Sequence, residues 1–161
     1  VHFWIPLSRE EYRGSIEGAI ENYGLRATLL DDRTLEILAA ADLAITKSGT
    51  VNLEIALLDV PQVVAYRVSP ITAWIARHIL KFSIPFMSPP NLVQMKPIVP
   101  ELLQDEATAE NIVAHSLELL HNVDRRQQTL AGYREMRKGL GEVGVCDRAA
   151  LEIIKQLTVD S

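Results

Sequence analysis

A chain of 161 residues that is 48% hydrophobic and 23% charged carries enough apolar surface for one domain, and its lack of polar or repetitive tracts excludes a disordered polymer. The formal net charge of -5 gives no general attraction to nucleic-acid phosphates, so no nucleic acid is expected as a partner. The single cysteine, Cys146, excludes an internal disulfide and a multi-cysteine zinc site, and suits a reducing, cytoplasmic setting.

The opening Val-His-Phe-Trp-Ile-Pro-Leu is too short for a signal peptide and lacks its basic flank. It reads as a strand cut out of a longer chain. Short apolar runs predict strands over Phe3 to Pro6, Arg26 to Leu30, Asp42 to Thr46 and Gln62 to Tyr66. Amphipathic stretches between them predict helices over Glu10 to Asn22, Arg33 to Ala40 and Thr50 to Leu58, each stopped by punctuation such as Tyr23-Gly24 or Val60-Pro61. Alternation of this kind is the pattern of a parallel sheet covered by helices, with every strand's carboxyl end on one ligand-binding edge.

After Tyr66 the pattern changes. Pro70 to Leu80 reads as an amphipathic helix, and the basic, apolar stretch Ile71 to Phe82 fits either an interfacial membrane helix or one packed on its own sheet or a missing domain. No apolar run reaches the ~20 residues of a spanning helix. Ser88-Pro89-Pro90-Asn91 is expected to be a rigid loop, because prolines fix φ and remove backbone donors. Pro100-Glu101-Leu102-Leu103-Gln104 is expected to open helical material, followed by helices over Thr108 to Leu120, Asp124 to Lys138 and Asp147 to Leu157.

The candidate chemistry sits where Asp42 to Thr46 runs into Lys47-Ser48-Gly49-Thr50 and then an apolar helix. A strand, a tight turn and a helix start present backbone N–H groups to an anion. Gly49 admits a phosphate close to the backbone, and Ser48 and Thr50 carry hydroxyls that can donate to it. The alternative is that Ser48 or Thr50 merely caps the helix and Gly49 makes the turn. Glu54 fits no capping-box register with either residue, lies on Thr50's helical face, and is placed to accept from ribose hydroxyls or to complement the helix dipole. His78, His115 and His121 fall in helical patterns and His2 is terminal, so none is a candidate general base. No Asp-x-Asp pair is present, which agrees with metal-independent chemistry; no metal and no cofactor are expected.

Four segments in order, Ala41 to Glu54, Val60 to Arg67, Pro90-Asn91-Leu92 and Val99 to Gln104, resemble lipid-A-disaccharide synthases along nearly the whole chain. Pro89 and Lys47 depart from the leucine and alanine usual there. The resemblance implies an α/β, Rossmann-like parallel sheet flanked by helices, with additional C-terminal helices, forming one half of a GT-B fold. Residues 1–161 would be the nucleotide-sugar-binding C-terminal domain of a metal-independent, inverting hexosyltransferase. It implies UDP-2,3-diacylglucosamine as donor and lipid X as acceptor, the latter held by an N-terminal domain that also supplies the general base. Ser48, Gly49 and Thr50 would hold the diphosphate and Glu54 would face the ribose. Asn91 would contact or position the donor, Glu101 and Gln104 would line the cleft, and the loop around Leu30 would meet the uracil. Peripheral contact with the inner membrane and a homodimer complete the expected partners. The related alternatives are a UDP-N-acetylglucosamine 2-epimerase or a cell-wall N-acetylglucosaminyltransferase, against which the Pro90-Asn91 pair argues. A non-catalytic nucleotide-binding α/β module must treat Asn91 and Gln104 as incidental.

Overall fold

The structure, a computed structural model, describes residues 1–68 and 85–159. The helix expected over 70–82, with its membrane reading, lies outside the described residues. Within them the chain is α/β, with parallel strands flanked by helices, a Rossmann-like half domain. Strands β1 (Phe3–Pro6) and β2 (Ala27–Leu30) pair in parallel, Phe3 beside Ala27 and Pro6 beside Leu30. A second parallel sheet has the order β3 (Ala44–Thr46), β4 (Gln62–Tyr66), β5 (Glu101–Leu103). The single sheet of four strands expected from the sequence is therefore corrected to two hydrogen-bonded groups and a fifth strand.

That fifth strand overturns the helical expectation for 100–104. Three residues are too few to show a period, and β5 is a strand because β4's edge takes it: Val64 donates to the Pro100 carbonyl at 3.0 Å, and Val64 to Tyr66 run beside Glu101 to Leu103. A 3-10 turn, Gln104–Glu106, follows.

Helices α1 (Arg13–Asn22, entered through a 3-10 turn at Glu10–Tyr12), α2 (Thr34–Ala40) and α3 (Val51–Leu57) connect the first four strands. The expected rigid loop at 88–91 is instead the start of α4 (Pro89–Gln94), with both prolines in its first two positions. The correction is physical: first-turn N–H groups have no intrahelical acceptor, so proline loses nothing there and its fixed φ suits the helix. Met95, at φ 51, then ends α4 in the left-handed region. Three further helices follow, α5 (Ala109–His121), α6 (Val123–Leu140) and α7 (Val145–Val159), the first two capped by Thr108 and Asn122, whose side chains accept from backbone N–H three residues on.

Packing concentrates around β4. Val63 and Val64, both fully buried, point to opposite faces. Val63 joins Leu102 and Leu119 of α5, while Val64 joins Ala56 of α3, Ile98, Val99, and Tyr133 and Met136 of α6. Burial of each such valine contributes about 1.5–3 kcal/mol. Residues 1–36 contain none in the fully buried class, so the β1-β2 unit is the thinly packed end of the chain.

Arg137 of α6 closes the far end of α3. Its Nη2 donates to the Ala56 and Leu57 carbonyls at 3.0 and 2.8 Å and pairs with Asp59 at 2.8 Å. Those carbonyls are among the orphan acceptors of a helix end. Arg137→Ala is expected to lower stability by about 1 kcal/mol, seen as a lower urea midpoint at unaltered m-value. An unchanged midpoint would show that water replaces the guanidinium without loss.

Candidate functional site

The turn leaving β3 stands beside the carboxyl end of β4, since Thr46 is paired with Val64. Gly49 has an ordinary φ, and a Cβ added to it would meet no atom of the described residues within 4 Å outside its chain neighbours. Neither the turn's conformation nor its packing against the described residues requires a glycine. Among the described residues nothing fills the space over it.

The capping alternative does not describe this turn. Thr50 occupies the N-cap position of α3 with helical φ and ψ of -59° and -31°, and its side chain caps nothing. The Ser48 hydroxyl donates to the Met87 carbonyl at 2.6 Å. The side chain that does bind the turn is Asn52, whose Oδ1 accepts from the Gly49 N–H at 2.7 Å and whose Nδ2 lies 3.3 Å from the Lys47 carbonyl. Lys47 itself holds its Nζ 5.5 Å from the centroid of the Tyr66 ring, a cation–π arrangement that keeps a positive charge at the carboxyl edge of the sheet.

Behind the Ser48 contact lies a second framework. Glu101, on β5, accepts at Oε2 from the Met87 N–H at 2.7 Å and at Oε1 from the Ser88 N–H at 2.9 Å, from the Ser88 hydroxyl, and from Asn91 Nδ2 at 2.7 Å. Asn91 is 1% exposed. Its Oδ1 accepts from the Ile98 and Val99 N–H groups at 2.8 and 2.9 Å, and its Nδ2 also donates to the Val99 carbonyl at 2.9 Å. All of its amide capacity is thus engaged within the chain. Asn91 and Glu101 hold residues 87–88 and 98–101 in place, and Met87 passes that order to Ser48. Gln104, at φ 51, joins from the end of β5: its Oε1 accepts from the Val68 N–H at 3.0 Å and its carbonyl from Arg67 Nε at 3.1 Å.

Ser48, Asn91 and Glu101 therefore belong to one hydrogen-bonded framework, and Gln104 lies just past the strand that carries Glu101, in the 3-10 turn. Thr50 and Glu54 are exposed on the adjoining face of α3, Glu54 with no ion pair among the described residues. Leu30 ends β2, on the other sheet, and among the described residues no hydrogen bond joins it to the turn. Beside it a cleft of about 440 Å³ is lined by Leu7, Ser8, Arg9, Glu10, Arg13, Asp31 and Asp32. There Arg13 is paired with both Glu10 and Asp31 at 2.6 and 2.8 Å, so the hydrogen bond to Glu10 raises the guanidinium's pKa further. Among the described residues no cluster of three His, Cys, Asp or Glu is placed to hold a metal, and no helix is long and apolar enough to cross a membrane.

Sequence reasoning missed Asn52, Gln62 and Tyr133, each fully buried and linked in series. A signal existed for the first two: Asn52 interrupts an apolar helix and Gln62 heads an apolar strand, so both polar groups fall where the pattern places core.

The family model described as lipid-A-disaccharide synthetase matches residues 1–154. A lipid-A-disaccharide synthase of Gloeothece citriformis is 62% identical over 96% of this chain and 40% of its own length. Those of Synechocystis sp. and Prochlorococcus marinus are 53% and 46% identical, over 96% and 93% of this chain and 40% of each relative. The chain thus spans about two fifths of the length of the curated relatives it matches. Matched by the family model along residues 1–154, this chain belongs to the lipid-A-disaccharide synthetase family.

Proposed function

We propose that the chain is the sugar-nucleotide-binding C-terminal half of a GT-B glycosyltransferase that makes a lipid A disaccharide. The donor is UDP-2,3-diacylglucosamine. The observation that carries this reading is Gly49, a glycine with an ordinary φ that no described residue crowds, at the carboxyl edge of a parallel sheet. Its neighbours suit a nucleoside diphosphate: the Thr50 hydroxyl and the Lys47 charge for the phosphates, and the Glu54 carboxylate, exposed one helical turn beyond Thr50, for ribose hydroxyls.

In the whole enzyme the 6-hydroxyl of lipid X attacks the anomeric carbon of the donor, the bond from that carbon to the diphosphate breaks, and UDP leaves. The hydroxyl's proton passes to a base of the N-terminal domain. This half stabilises the departing diphosphate, which is electrostatic catalysis by preorganised donors. The same reading includes the uracil at the loop around Leu30, a homodimer, and attachment at the cytoplasmic face of the inner membrane. Apolar surface for a partner exists on α7, where Val145, Leu151 and Ile153 are 64%, 58% and 61% exposed.

Gly49→Ala tests it. A methyl group fits the turn without strain, so stability should hold or rise by up to about 1 kcal/mol. UDP affinity, followed by NMR titration, should fall about tenfold because the methyl fills the approach to the backbone. Undiminished UDP binding by a folded Gly49→Ala would sink the placement of the diphosphate.

A further inference from the structure

Three polar side chains lie fully buried and hydrogen-bonded in series. Asn52 of α3 donates from Nδ2 to Gln62 Oε1 at 2.9 Å, and Gln62 of β4 donates from Nε2 to the Asn52 carbonyl at 3.0 Å and to Tyr133 Oη at 3.2 Å. All three are 0% exposed. Apolar residues of the same volume would pack here without desolvating amides, and a bonded polar chain returns little net stability over such a replacement. What the polar chain supplies is direction. It ends on both sides of the 47–49 turn, at the Gly49 N–H and the Lys47 carbonyl.

We infer that Asn52, braced by Gln62 and Tyr133, is a positioning residue that sets the shape of the Lys47-Ser48-Gly49 turn for a nucleoside diphosphate. The inference rests on the reading of that turn as the diphosphate site. Asn52 draws the Gly49 N–H inward, and so turns the bare Cα of Gly49 toward the open side. Gln62 and Tyr133 belong to β4 and α6, the most deeply packed elements, so the turn inherits their rigidity although it stands at the surface. Burial holds the Tyr133 phenol well above its ordinary pKa, with the hydrogen bond from Gln62 opposing the rise, so the ring stays neutral and the chain uncharged across the physiological range.

The test compares two probes on the same protein. UDP and uridine are titrated by NMR into the chain and into Asn52→Ala, Gln62→Met and Tyr133→Phe. Uridine lacks the phosphates but keeps the base and ribose. A loss of fold weakens both probes alike, whereas a misplaced turn weakens UDP alone. Expected is an about tenfold rise in the UDP Kd for Asn52→Ala and Gln62→Met, and about threefold for Tyr133→Phe, with uridine unaltered throughout. Tyr133→Phe removes one oxygen and keeps the ring in the core, so it decides the matter where a larger change prevents folding. Equal weakening of UDP and uridine, or an unchanged UDP Kd in Tyr133→Phe, overturns the positioning role. Wild-type protein that binds UDP no more tightly than uridine overturns instead the diphosphate reading beneath it, and Gly49→Ala separates the two failures.

Discussion

Asn91→Ala is expected to cost the chain about 3–5 kcal/mol, the largest loss from any single side chain outside the apolar core. The substitution removes an amide whose oxygen satisfies two backbone N–H groups, of Ile98 and Val99, and whose nitrogen satisfies the Val99 carbonyl and the Glu101 carboxylate. Ile98 and Val99 are 7% and 2% exposed, so water does not reach the orphaned groups without opening the core between α4 and α6. Each buried group left unpaired costs about 1–3 kcal/mol. For a chain of this size the thermal midpoint should drop by roughly 10 °C, with a matching fall in the urea midpoint. Asn91→Asp keeps the acceptor for the two N–H groups but sets a carboxylate against Glu101 and the Val99 carbonyl, and should be comparably damaging. A loss under about 1 kcal/mol for Asn91→Ala would mean that the 98–101 segment is held by its strand pairing alone. The effect should also reach the turn, because Glu101, without Asn91, is a weaker anchor for Met87, and Met87 carries the Ser48 hydrogen bond.

These contacts show where the sequence was readable and where it was not. The sequence places the limits of β1 and β4 to the residue, and those of β2, β3 and α3 to within two, because each is an apolar run between breakers. The remaining elements depend on context that no local pattern carries. Ser88-Pro89-Pro90 reads as a loop by what proline does inside a helix, although serine followed by proline is also the start of one. β5 has no local signature at all, since its identity lies in Val64 and Tyr66 of another strand. The division into two sheets is likewise a matter of pairing between distant segments. At the site, Gly49 stood out through its place after a strand, and Glu101 and Asn91 through resemblance. Their bonding partners did not stand out, because Gln62 meets Tyr133 across 71 positions and Glu101 reaches back 13 and 14 positions to Ser88 and Met87.

Gly132→Ala should destabilise the protein by about 2 kcal/mol, against the usual sense of a glycine-to-alanine change within a helix. Intrinsic propensity alone favours alanine by about 1 kcal/mol. On α6, however, the new Cβ would stand 2.6 Å from Ile98 Cγ2 and 3.0 Å from Cγ1. Ile98 has nowhere to retreat: its N–H is held by Asn91, its carbonyl accepts from the Thr129 hydroxyl at 3.4 Å, and its side chain is packed with Tyr133 and Met136. The clash must therefore push α6 away from the 98–99 segment, which is the same seam that Asn91 closes from the other side. A double-mutant cycle isolates this cause. Ile98→Val keeps both γ carbons and should give no relief, whereas in an Ile98→Ala background Gly132→Ala should become neutral or stabilising, an interaction energy of about 1–3 kcal/mol. Additive losses in that background would refute the clash and leave the glycine unexplained by packing. Relief only by alanine would identify Gly132 as the residue that lets α6 lie close enough for Tyr133 to meet Gln62.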